Sequence, residues 1–133
     1  MQKALKHLFH SLTLILMMAH LNCCNKEETN PVYINNSGVS IRVSESGIFI
    51  TNGTNETIHY FVIEKNEAAL IRWIPVCNPN NEIEISSTKE ISYSNIPGYF
   101  NKCEVLFYWW NCEQINSGEM KPDNLKSISF KTE

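Results

Sequence analysis

Cysteine and glutamate supply most of the chemistry open to this chain. Two adjacent thiols, Cys23 and Cys24, follow an apolar run, and Cys77, Cys103 and Cys112 lie far downstream. Such thiols can be alkylated, pair as disulfides or bind soft metals. Glu82 and Glu84 alternate with Ile83 and Ile85, and Glu90 follows closely. On a strand Glu82 and Glu84 share one face roughly 6–7 Å apart, a spacing that would suit two carboxylates flanking a glycosidic bond. The same alternation describes an ordinary strand with a solvated face, so a carboxylate-based hydrolase is the weakest reading.

Histidine adds little. His7, His10 and His20 precede the cysteine pair, and only His59 follows it. A His-based metal site would have one imidazole, and a Ser-His-acid triad would have that single base. His59 falls inside a strand pattern and reads as a surface or edge imidazole. The chain contains no Gly-rich phosphate loop, no His-Glu-x-x-His and no Cys-x-x-Cys. The residues therefore point to no catalytic set, no metal and no cofactor, and the chain does not read as an enzyme.

The segment before the cysteine pair reads as an address. Lys3 and Lys6 are followed by the apolar run Leu12–Ala19 and then by Leu21-Asn22-Cys23-Cys24. The run is shorter than the roughly 20 residues needed to span a bilayer, so it reads as a cleaved secretory signal. Leu21-Asn22-Cys23-Cys24 resembles the signal-peptide end of bacterial lipoproteins, in which an apolar residue at −3 precedes a lipid-modified cysteine. Cys24 fits best, with Leu21 at −3 and the small Cys23 at −1. Cys23 is the alternative, although it would place His20 at −3. Asn22 at −2 departs from the usual small residue. Cleavage near Ala19, with the cysteine pair incidental, is the competing reading.

Cys24-Asn25-Lys26-Glu27-Glu28 resembles the export signal of Bacteroidota-type surface lipoproteins. That resemblance assigns Lys26, Glu27 and Glu28 to export and implies an outer-membrane, lipid-anchored protein at the cell surface. The periplasmic face is the alternative location. The lipoprotein family carries three acyl chains on its cysteine. At about 0.8 kcal/mol per buried CH₂, two or more chains already hold a protein stably.

The expected organisation is a signal peptide over residues 1–23, a lipidated N-terminus and tether over 24–37, and one domain over 38–133. Cleavage before Cys24 leaves 110 residues, enough for a single core. That part has nine Lys/Arg against fourteen Asp/Glu, a formal charge of −5. It contains no basic cluster, so nucleic acid is not an expected partner.

The domain has a hydrophobic period of two nearly throughout. Strands are expected at Val39–Val43, Gly47–Thr51, Ile58–Ile63, Leu70–Ile74, Glu82–Ile85, Ile91–Tyr93, Glu104–Trp110 and Lys126–Lys131. Glu64–Leu70 has room for one helical turn. Turn chemistry separates the strands at Ser46-Gly47, Asn52-Gly53-Thr54-Asn55, Asn78-Pro79-Asn80-Asn81, Pro97-Gly98 and Asn116-Ser117-Gly118. Seven to eight short strands in about 100 residues predict an all-β antiparallel sandwich. The segment Ile48–Ile58, a strand, an Asn-rich turn and a strand, resembles immunoglobulin-like or fibronectin-like bacterial modules. No cysteine lies on the Ile58–Ile63 strand, so the intersheet disulfide of antibody domains is ruled out.

If 103–112 is one strand, its ends lie roughly 30 Å apart. That distance excludes a Cys103–Cys112 bridge, because a disulfide needs Cα atoms within about 7 Å. Antiparallel pairing of 70–74 with 104–110 would instead join Cys77 to Cys103, leaving Cys112 free or facing inward; the alternative is that all three cysteines are reduced and packed. In Phe107-Tyr108-Trp109-Trp110 one alternate pair must fill the interior. The other pair, with Trp73, forms a candidate binding face of Trp73, Tyr108 and Trp110 for a protein or glycan, unless a loop covers it. The functions left open are a non-catalytic binding or structural module and a secreted inhibitor acting through a loop such as Val76–Asn81 or Asn111–Pro122.

Overall fold

The computed structural model describes residues 32–132. Cys23, Cys24, Lys26, Glu27 and Glu28 lie outside the described residues. The described part is an all-β sandwich of two four-stranded antiparallel sheets. The first contains β1 (Tyr33–Asn36), β2 (Val39–Val43), β3 (Gly47–Asn52) and β6 (Thr88–Ser92), in spatial order β1-β2-β3-β6. The second contains β4 (Ile58–Glu64), β5 (Glu82–Ile83), β7 (Glu104–Gln114) and β8 (Met120–Lys131), in spatial order β5-β4-β7-β8. The chain crosses between the sheets after β3, β5 and β6. A single helical turn, α1 (Lys65–Ala68), follows β4. The folded unit thus starts earlier than residue 38, because β1 occupies part of the expected tether.

Alternation builds the core. Val39, Ile41 and Val43 of β2 are buried, while Ser40 and Arg42 between them remain partly exposed. Ile48, Ile50 and Ile91 complete the inner face of the first sheet. Ile58, Val62, Ile83, Val105, Phe107, Trp109 and Phe130 meet it from the second. Phe107 and Trp109 are therefore the inward pair of the aromatic run, at 0% and 1% exposure.

Local turn chemistry sets the register. The β1–β2 hairpin closes through Ser37 and Gly38, both at positive φ (51° and 82°), the two-residue geometry that matches strand twist. At the other extreme, β8 is a 12-residue edge strand. It carries Pro122 and three lysines, at 121, 126 and 131, and its register shifts opposite Trp110, where Asn124 has φ 54°. Proline, lysine and a bulge are the usual protections of a long edge against further strand pairing.

Several expected elements differ in extent, and two differ in kind or are much reduced. Among the described residues, Leu70–Ile74 joins no sheet and residues 71–77 make no backbone–backbone hydrogen bond. From Arg72 to Cys77 the segment nevertheless alternates, with Trp73, Pro75 and Cys77 half-buried and Arg72, Ile74 and Val76 exposed. Its period of two arises because one side of an extended strap lies against the outer face of the second sheet. Glu82–Ile85 contracts to the two residues Glu82–Ile83.

Candidate functional site

The outer face of the second sheet is built by the residues of β4 and β7 that point away from the core. Three cross-strand pairs form it: His59 with Trp110, Phe61 with Tyr108, and Ile63 with Leu106. A solvated sheet face would be polar, whereas this one is aromatic and aliphatic and must be covered. The strap of residues 69–78 covers it. Trp73 descends onto the face with ring centroids 4.8 Å from Phe61, 4.7 Å from Tyr108 and 6.0 Å from Trp110.

The structure thus brings Trp73, Tyr108 and Trp110 together, as a packed cluster and not an open platform. Trp110 is 1% exposed, and Trp73 and Tyr108 are only partly so. The surplus of large side chains on β7 is hidden by the chain's own strap.

The strap is fastened at its far end by a Cys77–Cys112 disulfide with Cα atoms 6.0 Å apart. This corrects the expected Cys77–Cys103 pairing. That expectation required 70–74 to pair with 104–110 in a sheet, but β7 pairs with β4 and β8 instead. Crossing over the sheet face carries Cys77 to the C-terminal end of β7, where Cys112 lies. Cys103 is a buried free thiol, with its Sγ 3.9 Å from Thr132 Oγ1.

His59 also differs from expectation. It is 5% exposed, because β4 is a central strand flanked by β5 and β7 and the imidazole is enclosed between its neighbours. Its Nε2 lies 3.2 Å from Glu82 Oε1, and its ring stacks on Trp110 at 6.4 Å. Its Nδ1 and the Trp110 Nε1 are buried without a hydrogen-bond partner among the described residues. Sequence reasoning missed this pairing because it rests on register between strands 23 and 51 residues away along the chain (Glu82 and Trp110). The polar exception in an otherwise apolar strand was the available signal.

Beside His59 a cavity of about 370 Å³ opens at the end of the sheet. His59 and Glu82 form one wall, Glu56 and Asn111 another, and Met120 and the Cys112 half of the disulfide supply apolar surface. The Asn111 amide donates to Glu56 Oε2. Glu84 and Glu90 do not join the cavity: Glu84 is exposed beyond β5, and Glu90 lies on β6 in the other sheet. Among the described residues no group of three or more His, Cys, Asp or Glu side chains is placed to hold a metal.

At the opposite end of the sheet, Ser129 Oγ (2.6 Å) and Lys65 Nζ (2.9 Å) donate to Glu104 Oε1. The Ser129 hydrogen bond, with that of Lys65, holds the Glu104 carboxyl below its ordinary pKa. Burial pushes the Tyr60 phenol, stacked on Phe107 at 6.0 Å, above its ordinary value.

No protein-family profile matches this chain, and neither the curated proteins nor the solved structures yield a significant match.

Proposed function

We propose that this is a lipid-anchored surface protein of a bacterial outer membrane, with acylation at Cys24 and a sandwich that serves as a non-catalytic binding or structural module. The observation that carries the reading is the fixed register of Leu21-Asn22-Cys23-Cys24 against Lys26-Glu27-Glu28. The Cys77–Cys112 disulfide supports it, because such bonds persist in compartments outside the reducing cytosol. The order of β2, β3 and β6 against β5, β4, β7 and β8, with repeated crossing between sheets, supports an immunoglobulin-like assignment within the sandwich class. Covering of the aromatic face by the strap moves any ligand contact to the exposed strap or to the cavity beside His59.

Mass spectrometry of the membrane fraction tests the anchor. The mature N-terminus should be an acylated Cys24, and Cys24→Ala should release or misprocess the protein. An unmodified N-terminus elsewhere, on a protein recovered in the soluble fraction, would overturn the proposal. Replacing Lys26, Glu27 and Glu28 with Ala should protect the protein from protease added to intact cells. Unchanged cleavage would remove the surface assignment and leave the anchor standing.

A further inference from the structure

We infer that the pole of the sandwich where the chain enters rests on the bilayer that holds the acyl anchor, with Tyr33, Leu70 and Phe100 seated in its interfacial layer. The inference rests on the anchor proposed at Cys24 and adds an orientation to it.

Hydrogen bonds fix which side chains share that pole. Val43 N donates to Val32 O at 3.1 Å, so the chain enters beside the last residue of β2. Gly47 pairs with Ser92, after which the chain crosses to the second sheet, where Glu64 N donates to Pro97 O at 3.0 Å. Glu64 ends β4 opposite Val105, and Lys131 ends β8 opposite Glu104. The ends of β2, β4 and β8 and the starts of β3 and β7 therefore gather together. Leu70 is tied there by its N–H, which donates to Glu67 O at 3.0 Å, and Phe100 by its carbonyl, which accepts from Cys103 N at 3.1 Å. Asn52, bonded to Ile83 O, and the Cys77–Cys112 bridge mark the opposite pole.

Tyr33 (71% exposed) and Phe100 (57%) are the two exposed aromatic side chains among the described residues, and Leu70 is 80% exposed. Val76, Ile85, Ile115 and Met120 are exposed at the far pole, so apolar exposure alone does not choose between the two. The reach of the chain does. Seven residues separate Cys24 from Val32. Eight extended steps cover at most about 26–29 Å. The 11 residues of β7 run about 35 Å from one pole to the other. An anchor at Cys24 therefore keeps the entry pole nearest the lipid and leaves the far pole, with the disulfide and the cavity, outermost.

Three side chains would hold a bilayer weakly from solution. A short tether gives them an effective concentration in the millimolar range, so a weak contact is enough. Aromatic rings and leucine suit the boundary between headgroups and acyl chains. Charge at this pole is mixed, Lys65, Lys102 and Lys131 standing with Glu45, Glu67 and Glu104. The contact is accordingly apolar and little affected by salt.

The test uses the mature acylated protein in phosphatidylcholine nanodiscs containing a lipid with a gadolinium-bearing headgroup. Side-chain NMR signals of Tyr33, Leu70 and Phe100 should be broadened out of the spectrum at low and high salt, while the Ile115 and Met120 methyl signals persist. The triple change Tyr33→Ser, Leu70→Ser and Phe100→Ser alters only exposed positions and should abolish the difference between the poles, with the protein still held in the discs by its acyl chains. Ile115→Ser with Met120→Ser should leave the broadening at the entry pole unchanged. Equal broadening at both poles, or broadening undiminished in the folded triple variant, would overturn the orientation and leave the anchor standing. Absence of acyl mass on Cys24 would overturn both.

Discussion

The Asn52 side-chain amide donates to the main-chain carbonyl of Ile83 at 2.9 Å, joining the last residue of β3 in one sheet to β5 in the other. The same nitrogen donates to Glu56 O at 2.8 Å. The Asn52 Oδ1 accepts from Thr54 N (3.0 Å) and Thr54 Oγ1 (2.7 Å). Asn52 is 0% exposed, so water does not replace these partners when the side chain is lost.

Asn52→Ala should therefore destabilise the fold by about 2–4 kcal/mol, since each buried group left unpaired costs about 1–3 kcal/mol. Asn52→Asp keeps the acceptors for Thr54 but sets a carboxylate oxygen against two carbonyls, and it should be no better than Ala. Urea denaturation measures both. A loss below 1 kcal/mol for Ala, on the order of one ordinary net hydrogen bond, would show that the corner is held by packing alone.

Cys77 and Cys112 should be recovered linked in a non-reducing peptide map, and Cys103 should react with thiol reagents only after unfolding. Paired replacement of Cys77 and Cys112 by Ser should cost about 2–4 kcal/mol for a bridge spanning a sequence separation of 35. Recovery of a 77–103 link would contradict the strap geometry.

Trp110→Ala should lower stability by about 3–5 kcal/mol, the range for a large aromatic removed from a packed interior. Trp110→Phe should cost less than half of that, because the indole N–H it discards has no partner among the described residues. Trp73→Ala should uncover the same cluster without disrupting either sheet, detectable as increased binding of a hydrophobic dye at a smaller stability cost.

Gly98→Ala should destabilise by about 1–3 kcal/mol, in the range of strained left-handed backbone. Gly98 has φ +74°, and an added Cβ would come within 2.7 Å of Glu67 Cβ on α1. That helical turn is itself capped by buried Glu64, whose Oε2 accepts from Glu67 N at 2.8 Å. Thermal unfolding of the variant checks the prediction.

Ser129→Ala should raise the Glu104 pKa toward its ordinary value, as read by NMR titration. The folded-state pKa is depressed, so the Glu104 contribution is present above the unfolded carboxylate value. It is lost as pH falls through the lowered folded value. The variant should lose part of that contribution at neutral pH and show a shallower acid dependence. An unchanged Glu104 titration would leave Lys65 as its sole effective partner.

Strand character was legible in the sequence wherever local alternation and turn residues agree. Val39–Val43 follows from its period of two, Gly47–Thr51 and Ile58–Ile63 from their β-branched and aromatic runs, and Asn52-Gly53 bends the chain as its backbone chemistry requires. The all-β class follows from those elements, because each has an apolar face that a second sheet covers. Pairing was not legible. Leu70–Ile74 reads as a strand, yet it belongs to a strap on the sheet face whose residues alternate from Arg72 to Cys77, because alternation records which side is buried and not which backbone is bonded. The error propagated to the disulfide: only the crossing of the strap over β7 decides that Cys77 meets Cys112. The cavity depends on register in the same way. Glu56, His59, Glu82 and Asn111 are ordinary strand and turn residues along the chain, and they converge only because β4 lies between β5 and β7, where contacts distant in sequence decide which side chains meet.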